Sequence, residues 1–396
     1  MIKRELEKEL KISAKQFPAV AVLGPRQSGK TTLVKATFSK YKYISLENLD
    51  TRQDAISDPR HFLETHENKY GLILDEIQNT PELLSYIQTY IDKHKKHGYF
   101  ILTGSQNILL NQAISQTLAG RISILTLLPL SINELKKDKL LSESIEKTMF
   151  TGMYPRIFDE KIKGEKPTPQ KWYPNYIRTY IERDVRMLKN VHNLNLFQKF
   201  IKLCAGRVGQ ILNLTSLGDD CGVDAKTADN WISILASSYI IFLLRPHHKN
   251  FSKRLIKSPK LYFYDTGLAC SLLEIENEKE LNTSYIRGHL FESFVLSELM
   301  KHRYNQDKNP NLYFWRDSQK HEIDCIFEKG EKLTPIEIKI GKTVNTSFFD
   351  GLKYWNDLSN NNPQNSFVIY GGKEKHVRQK IQVVGWQNLI SVFGKK

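Results

Sequence analysis

Cysteine is scarce in this chain of 396 residues: there are four, Cys204, Cys221, Cys270 and Cys325. They are widely scattered and none has metal-ligand spacing, which excludes a cysteine-based metal motif and points to a reduced, cytoplasmic compartment. Long apolar runs are also missing. The most aliphatic patch, Ile240-Ile241-Phe242-Leu243-Leu244, is far too short to span a bilayer, so no membrane association is expected. The first ten residues are charged throughout and do not read as a secretory leader. Acid is short relative to base: 43 Asp and Glu stand against 58 Lys and Arg, a formal net charge of +15. Such a balance favours a polyanionic partner such as DNA, although a well-solvated lysine surface would give the same sum. The length argues for two or three domains.

What is present begins with Gly24-Pro25-Arg26-Gln27-Ser28-Gly29-Lys30-Thr31, which fits G-x-x-x-x-G-K-[ST] at every fixed position. Ala19–Leu23 reads as a buried strand entering the loop, and Thr32–Ala36 as a helix leaving it. That context suits phosphate binding: backbone N–H groups turn inward and the helix N-terminus adds its dipole. ATP with Mg²⁺ is the expected ligand. Lys30 would reach the β- and γ-phosphates, Thr31 would ligate the metal, and Thr32 would open the helix behind the loop. Arg26 reads as solvated or close to the base.

Tyr70–Glu76 is an apolar strand ending in two carboxylates. Asp75 would hold Mg²⁺ through its water shell, and Glu76 is placed to act as general base on the attacking water; the plainer alternative for Glu76 is an ordinary charge at a strand end. Tyr43–Leu46 and Tyr99–Ser105 read as further strands, with a helix through Leu83, Leu84, Ile87 and Ile91 between the last two. The alternation implies a parallel sheet that binds its ligand at the strands' carboxyl ends. Thr103 or Ser105 would then meet the γ-phosphate, unless Ser105 serves as a helix N-cap. Arg121, before the strand Ile122–Leu125, either contacts phosphate in cis, acts as a finger across a subunit boundary, or forms a structural salt bridge.

Further along, Lys161–Trp172, with its glycine and two prolines, reads as a surface connection. Tyr176–Asn190 reads as a charged helix whose Arg178, Arg183 and Arg186 form a solvated face or approach nucleotide. Helices over Leu196–Ala205, Leu214–Cys221 and Ala225–Ala236, the last capped by Asp224, resemble a helix-turn-helix. Ile240–Leu244 and Leu261–Tyr264 would be wing strands. Between them no acid occurs from Arg245 to Lys260, and Arg245, Lys249, Lys253, Arg254, Lys257 and Lys260 suit phosphate contacts. A purely packing role for this segment is the alternative.

In the last third, Glu292 lies in a helical stretch, Arg287–Leu296. Asp324 lies in the strand Glu322–Phe327. After a turn at Gly330 comes Thr334–Ile340, where Glu337 and Lys339, two apart, share a strand face. A hairpin would set Asp324 beside them, giving a D…E-x-K set in which Asp324 and Glu337 bind a second Mg²⁺ and Lys339 positions water. Glu292 would add a further acid. The alternative is a surviving ion-pair cluster without chemistry. Trp315 reads as core, with Arg316 and His321 candidates for a nucleic-acid groove.

Gly24–Thr31, Leu74–Gln78, Leu102–Ser105, Leu118–Arg121 and Tyr176–Val185 recur in this order in a known family. The chain resembles the prokaryotic AAA-type (ASCE P-loop) ATP-binding proteins that carry a C-terminal domain of unknown function. The resemblance implies an α/β chain with an N-terminal parallel-sheet ATPase domain over 1–155, a connecting helical segment over 156–192, a winged helix over 193–275, and a restriction-endonuclease-like domain over 276–396. It also suggests a homo-oligomer. DNA action driven by ATP is one reading; a nucleotide-dependent switch acting through protein partners is the other.

Overall fold

The computed structural model describes residues 2–105, 113–114, 116–159, 166–180, 193–247 and 257–394. Two compact units emerge. One comprises Met1–Leu130, Ser237–Tyr239 and Arg303–Lys308; the other comprises Ser131–Ala236, Ile240–His302 and Asn309–Lys396.

In the first unit five strands form one parallel sheet: β1 (Ala19–Gly24), β2 (Lys42–Ser45), β3 (Leu72–Asp75), β4 (Phe100–Ser105) and β5 (Ile122–Thr126). Their order is β2-β3-β4-β1-β5. The strands are short, apolar runs because both faces are covered, as a parallel sheet requires. Period-two alternation sorts the side chains of β1. Ala19, Ala21 and Leu23 join Leu72, Leu74, Phe100 and Leu102 under Phe62, Leu84, Ile87 and Ile91. Val20 and Val22 join Ile73, Ile101 and Leu125 on the opposite face, against Leu6, Leu10, Leu33 and Val34. The interposition of β4 between β1 and β3 sets the register Gly24↔Ser105 and Leu74↔Leu102. The carboxyl ends of the three strands therefore bring the loop, Asp75 and Ser105 to one edge.

The second unit holds helices Leu194–Ala205, Leu214–Cys221 and most of Ala225–Ser237, close to the expected bounds. Each starts on a side-chain cap. Asn193 accepts from the Leu196 N–H at 3.1 Å, Asn213 from Ser216 at 3.1 Å and Asp224 from Thr227 at 2.6 Å. Trp231 meets Phe197 and Phe200 edge-on, each at 5.2 Å between centroids. Strands β6 (Ile241–Leu244) and β7 (Lys260–Phe263) pair antiparallel. Lys249, Lys253 and Arg254 lie outside the described residues, as do Arg183 and Arg186. The expected connection over 161–172 is partly overturned: a helix runs over Pro169–Tyr180, with Trp172 stacked on Tyr176 at 5.0 Å. Aromatic burial there overrides the proline-rich composition.

The same unit carries a six-stranded mixed sheet of β8 (Leu312–Arg316), β9 (Glu322–Lys329), β10 (Lys332–Lys339), β11 (Phe367–Tyr370), β12 (Lys375–Arg378) and β13 (Ile381–Gly385), in the order β12-β13-β11-β10-β9-β8. Strands β9 and β10 form the expected hairpin, with Ile336 opposite Cys325. Helix Asp350–Ser359 covers one face through Leu352 and Trp355. At Gly351 a Cβ would stand 2.5 Å from Glu337 Oε1 and 3.0 Å from the Glu322 carbonyl oxygen, so a side chain there would displace the Glu337 carboxylate. No helix among the described residues is long and apolar enough to cross a membrane.

Candidate functional site

The loop Gly24–Thr31 leaves β1 and enters the helix Lys30–Thr37. Gly29 occupies the position before the first helical turn at φ +93°, a left-handed conformation that strongly favours glycine there. The Lys30 ammonium donates to the carbonyls of Gly24 at 3.1 Å and Pro25 at 2.8 Å. Lys30 thus lies folded along the loop, within reach of anything the loop encloses.

Asp75, buried at the end of β3, gathers hydroxyls. Thr31 Oγ1 donates to its two oxygens at 2.9 and 3.1 Å. Tyr43 donates its phenol at 2.8 Å, and Thr103 donates to the same carboxylate. Burial, with the Asp75 carboxylate beside it, pushes the Tyr43 phenol up to about 12, so it is a firm proton donor. The Thr31–Asp75 contact joins the two residues expected to share Mg²⁺. Thr103, read as a phosphate sensor, has its hydroxyl on Asp75 instead. Ser105 stands opposite Gly24, and its hydroxyl oxygen and that of Ser28 are buried with no hydrogen-bond partner. The residues that Ser105 would cap lie outside the described residues. Buried polar atoms without partners beside a phosphate-type loop fit a polar ligand. The residues present therefore suit ATP with Mg²⁺, which Gly24–Thr31, Thr32 and Asp75 would hold.

Glu76 follows at φ +61°, an uncommon conformation for a non-glycine residue, and its carboxylate accepts from the Gln78 amide. Gln27, inside the loop, also takes positive φ, +58°. Arg26 is half-buried.

Arg121 corrects one expectation. Ala19 pairs with Ile122, so Arg121 sits at the amino edge of the sheet, opposite the loop. Five residues of strand separate those edges, on the order of 16 Å. A contact with phosphate in cis is ruled out by that register. Arg121 instead holds Asp92 with two hydrogen bonds, 2.7 and 3.0 Å, at the surface. Sequence reasoning also missed Arg4. Its buried guanidinium donates to the Ser28 and Leu128 carbonyls, each at 2.6 Å. Partners of this kind are backbone atoms, which no side-chain pattern encodes.

In the second unit, Glu292, Asp324 and Lys339 line one cavity of about 970 Å³, together with Lys260, His289, Arg316 and Glu322. Glu337 lies buried beside them. Lys339 Nζ donates to Glu337 at 2.6 Å and to Asp324 at 3.3 Å, and the Ile338 N–H donates to Asp324 at 2.7 Å. Burial raises both carboxyls. At Asp324 the ammonium groups of Lys339 and Lys260, with hydrogen bonds from Glu337 and Ile338, overcome burial and hold the carboxyl below its ordinary value. At Glu337 burial and the Asp324 charge prevail, leaving it well above. The two carboxyls are coupled, with the surroundings favouring the ionised form at Asp324 and the protonated form at Glu337. Among the described residues, no three His, Cys, Asp or Glu side chains are grouped so as to hold a metal ion.

Lys260 is a second correction. Read as a phosphate contact in a wing, it is 3% exposed and pairs with Glu322 and, at 3.4 Å, with Glu292. Burial disfavours its charge, but Glu292, Glu322 and Asp324 outweigh burial and raise it above an ordinary lysine. Tyr262, two residues on and therefore on the same strand face, donates to Glu292. That alternation is the signal that could have found both. Arg316 pairs with Glu322 at 3.2 Å at the cavity. His321 is not there: it bonds Asp317 at 3.0 Å and stacks on Tyr354 at 3.9 Å. Trp315 is core, against Trp355 at 4.9 Å.

Fold and loop define the first unit as a P-loop AAA domain. Residues 16–136 match the model of the AAA domain family. Residues 142–279 and 287–389 match two domains of unknown function, DUF8612 and DUF4143. Among curated proteins, an uncharacterized protein of Mycobacterium tuberculosis is 28% identical over 348 residues, covering 87% of this chain and 75% of the relative. An uncharacterized protein of Haemophilus influenzae is 19% identical over 388 residues, covering 90% and 91%. Among solved structures, the Walker-type ATPase of Pyrococcus abyssi is 15% identical, with a TM-score of 0.46, and covers 69% of this chain and 96% of that one. The RuvB Holliday junction branch migration motor of Thermotoga maritima is 18% identical, with a TM-score of 0.30, and covers 62% and 90%. At those scores neither structure adds to the reading of the residues.

Proposed function

We propose that this chain binds and hydrolyses ATP with Mg²⁺ and that its nucleotide state governs an action of its C-terminal domain on DNA. The observation that carries the ATPase reading is the hydroxyl of Thr31 on the carboxylate of Asp75, 2.9 Å apart at the carboxyl edge of a parallel sheet. Bound Mg²⁺–ATP supplies an electrophilic γ-phosphate whose charge the metal offsets. Gly24–Thr31 would bind the phosphates with Lys30 against the terminal ones, Thr31 and Asp75 would orient the metal's shell, and Ser105 would donate its unpaired hydroxyl. Glu76 would leave Gln78 and accept a proton from water. Arg121, paired with Asp92 at the surface, is read as a structural ion pair, with a finger toward a second copy as the competing role. Glu76→Gln tests the base: ATP remains bound while turnover falls by roughly 10²–10⁴. Normal turnover removes Glu76 from that role.

The action on DNA rests on the positive charge, the capped helices followed by a β-pair, which suit a winged helix, and Asp324, Glu337 and Lys339 on one hairpin, the arrangement of nuclease-like folds. A second Mg²⁺ at Asp324 and Glu337 would be the cleaving metal. The competing reading is a switch without cleavage, favoured by Lys339, which already bonds both carboxylates. Metal-dependent cutting of single-stranded, double-stranded and supercoiled DNA, with and without ATP, separates the two. Cutting that Asp324→Ala abolishes supports the first reading; no cutting under any condition supports the switch.

A further inference from the structure

Arg4 precedes the first helix, Glu7–Gln16, and is 8% exposed. One of its terminal nitrogens donates to the Ser28 carbonyl and the other to the Leu128 carbonyl, each at 2.6 Å. Ser28 is the residue before Gly29, so the bonded carbonyl belongs to the same peptide unit as the Gly29 N–H. A trans peptide holds its C=O and N–H on opposite sides. Fixing the Ser28 oxygen on the guanidinium therefore aims the Gly29 N–H the other way. A charged donor on that oxygen also polarises the peptide and makes its N–H a stronger donor.

The second bond ties down the other wall. Leu128 follows β5, and the Leu127 N–H donates to the Leu23 carbonyl at 2.8 Å, one residue before the loop opens. Arg4 thus spans both sides of the loop base. Its own segment is anchored, since Leu6 and Leu10 are fully buried among Val20, Val22, Leu33 and Val34.

We propose that Arg4 is a positioning residue of the phosphate loop, setting the direction and strength of the Gly29 donor before nucleotide arrives. This rests on the loop binding nucleotide. The test uses the full chain and a fluorescent ADP with Mg²⁺, titrated in parallel with thermal unfolding of the nucleotide-free protein. Arg4→Ala is expected to weaken ADP binding roughly ten- to a hundredfold, the scale of charge-assisted hydrogen bonds. Arg4→Lys, which keeps the charge but not the planar fork, should recover part of the loss and serves alone if the alanine variant does not fold. Leu6→Ala loosens the segment without touching the loop; it should lower the unfolding midpoint and leave affinity within about twofold. Wild-type affinity in folded Arg4→Ala or Arg4→Lys overturns the assignment. So does an equal loss in Leu6→Ala, because the effect would then be docking of the segment. If the wild-type chain binds no ADP, the loop reading fails first and the role of Arg4 fails with it.

Discussion

The two candidate sites surround a buried carboxylate with different partners. In the first unit Asp75 is held by three hydroxyls, from Thr31, Tyr43 and Thr103. Hydroxyls solvate a negative charge without cancelling it. In the second unit Lys339 bridges Asp324 and Glu337, and Lys260 bridges Glu292 and Glu322. Ammonium groups cancel the charge outright. A divalent cation approaching Asp75 meets a carboxylate held by hydroxyls, whereas one approaching Asp324 competes with Lys339. The first arrangement is poised to bind; the second is closer to a finished structural network, which breaks when one partner is removed.

The largest effect that would test this contrast is at Lys260. Lys260→Met removes a buried cation from between Glu292 and Glu322, and breaking such a pair costs about 3–5 kcal/mol. A urea titration followed by circular dichroism should show that loss. If stability is unchanged, the network is not structural, and the contrast between the sites collapses. Next comes Lys30→Ala, which should lower ADP affinity by roughly a hundredfold, as for lost charge-assisted contacts, with stability little changed. Fluorescence titration beside thermal melting checks both halves; an equal fall in stability would make Lys30 structural too. The smallest effect is at Arg121. Arg121→Ala should leave turnover and melting temperature essentially as they were, because exposed ion pairs contribute little. A large fall in turnover would instead assign Arg121 to a neighbouring copy's site. The Arg121 guanidinium holds the Asp92 carboxyl below its ordinary value. Its small contribution is therefore present above the usual carboxylate range and fades as pH falls through it. Melting curves of wild type and Arg121→Ala should converge in acid.

Much of the first site was legible in the chain. The loop residues are consecutive, and local spacing alone places Lys30 and Thr31. The hairpin of Asp324 with Glu337 and Lys339 was legible for the same reason, since period-two alternation across a short turn sets which side chains meet. What escaped depends on partners remote in sequence. Thr103 reaches Asp75 because β4 lies beside β3. Arg121 faces away from the loop because its strand is parallel to β1. Lys260 looked like the last cation of a solvated run, yet it is 32 residues from Glu292 and 62 from Glu322.

The sequence by itself determined the chemistry on offer: a phosphate loop, an acidic strand end and an E-x-K strand, each a short-range pattern that backbone geometry converts directly into shared faces. Only the tertiary structure decided which charges are used. Burial penalises an unpaired ion heavily, so a lysine's fate turns on whether the fold delivers carboxylates to it. It delivered two to Lys260, Asp92 to Arg121, and two backbone carbonyls to Arg4.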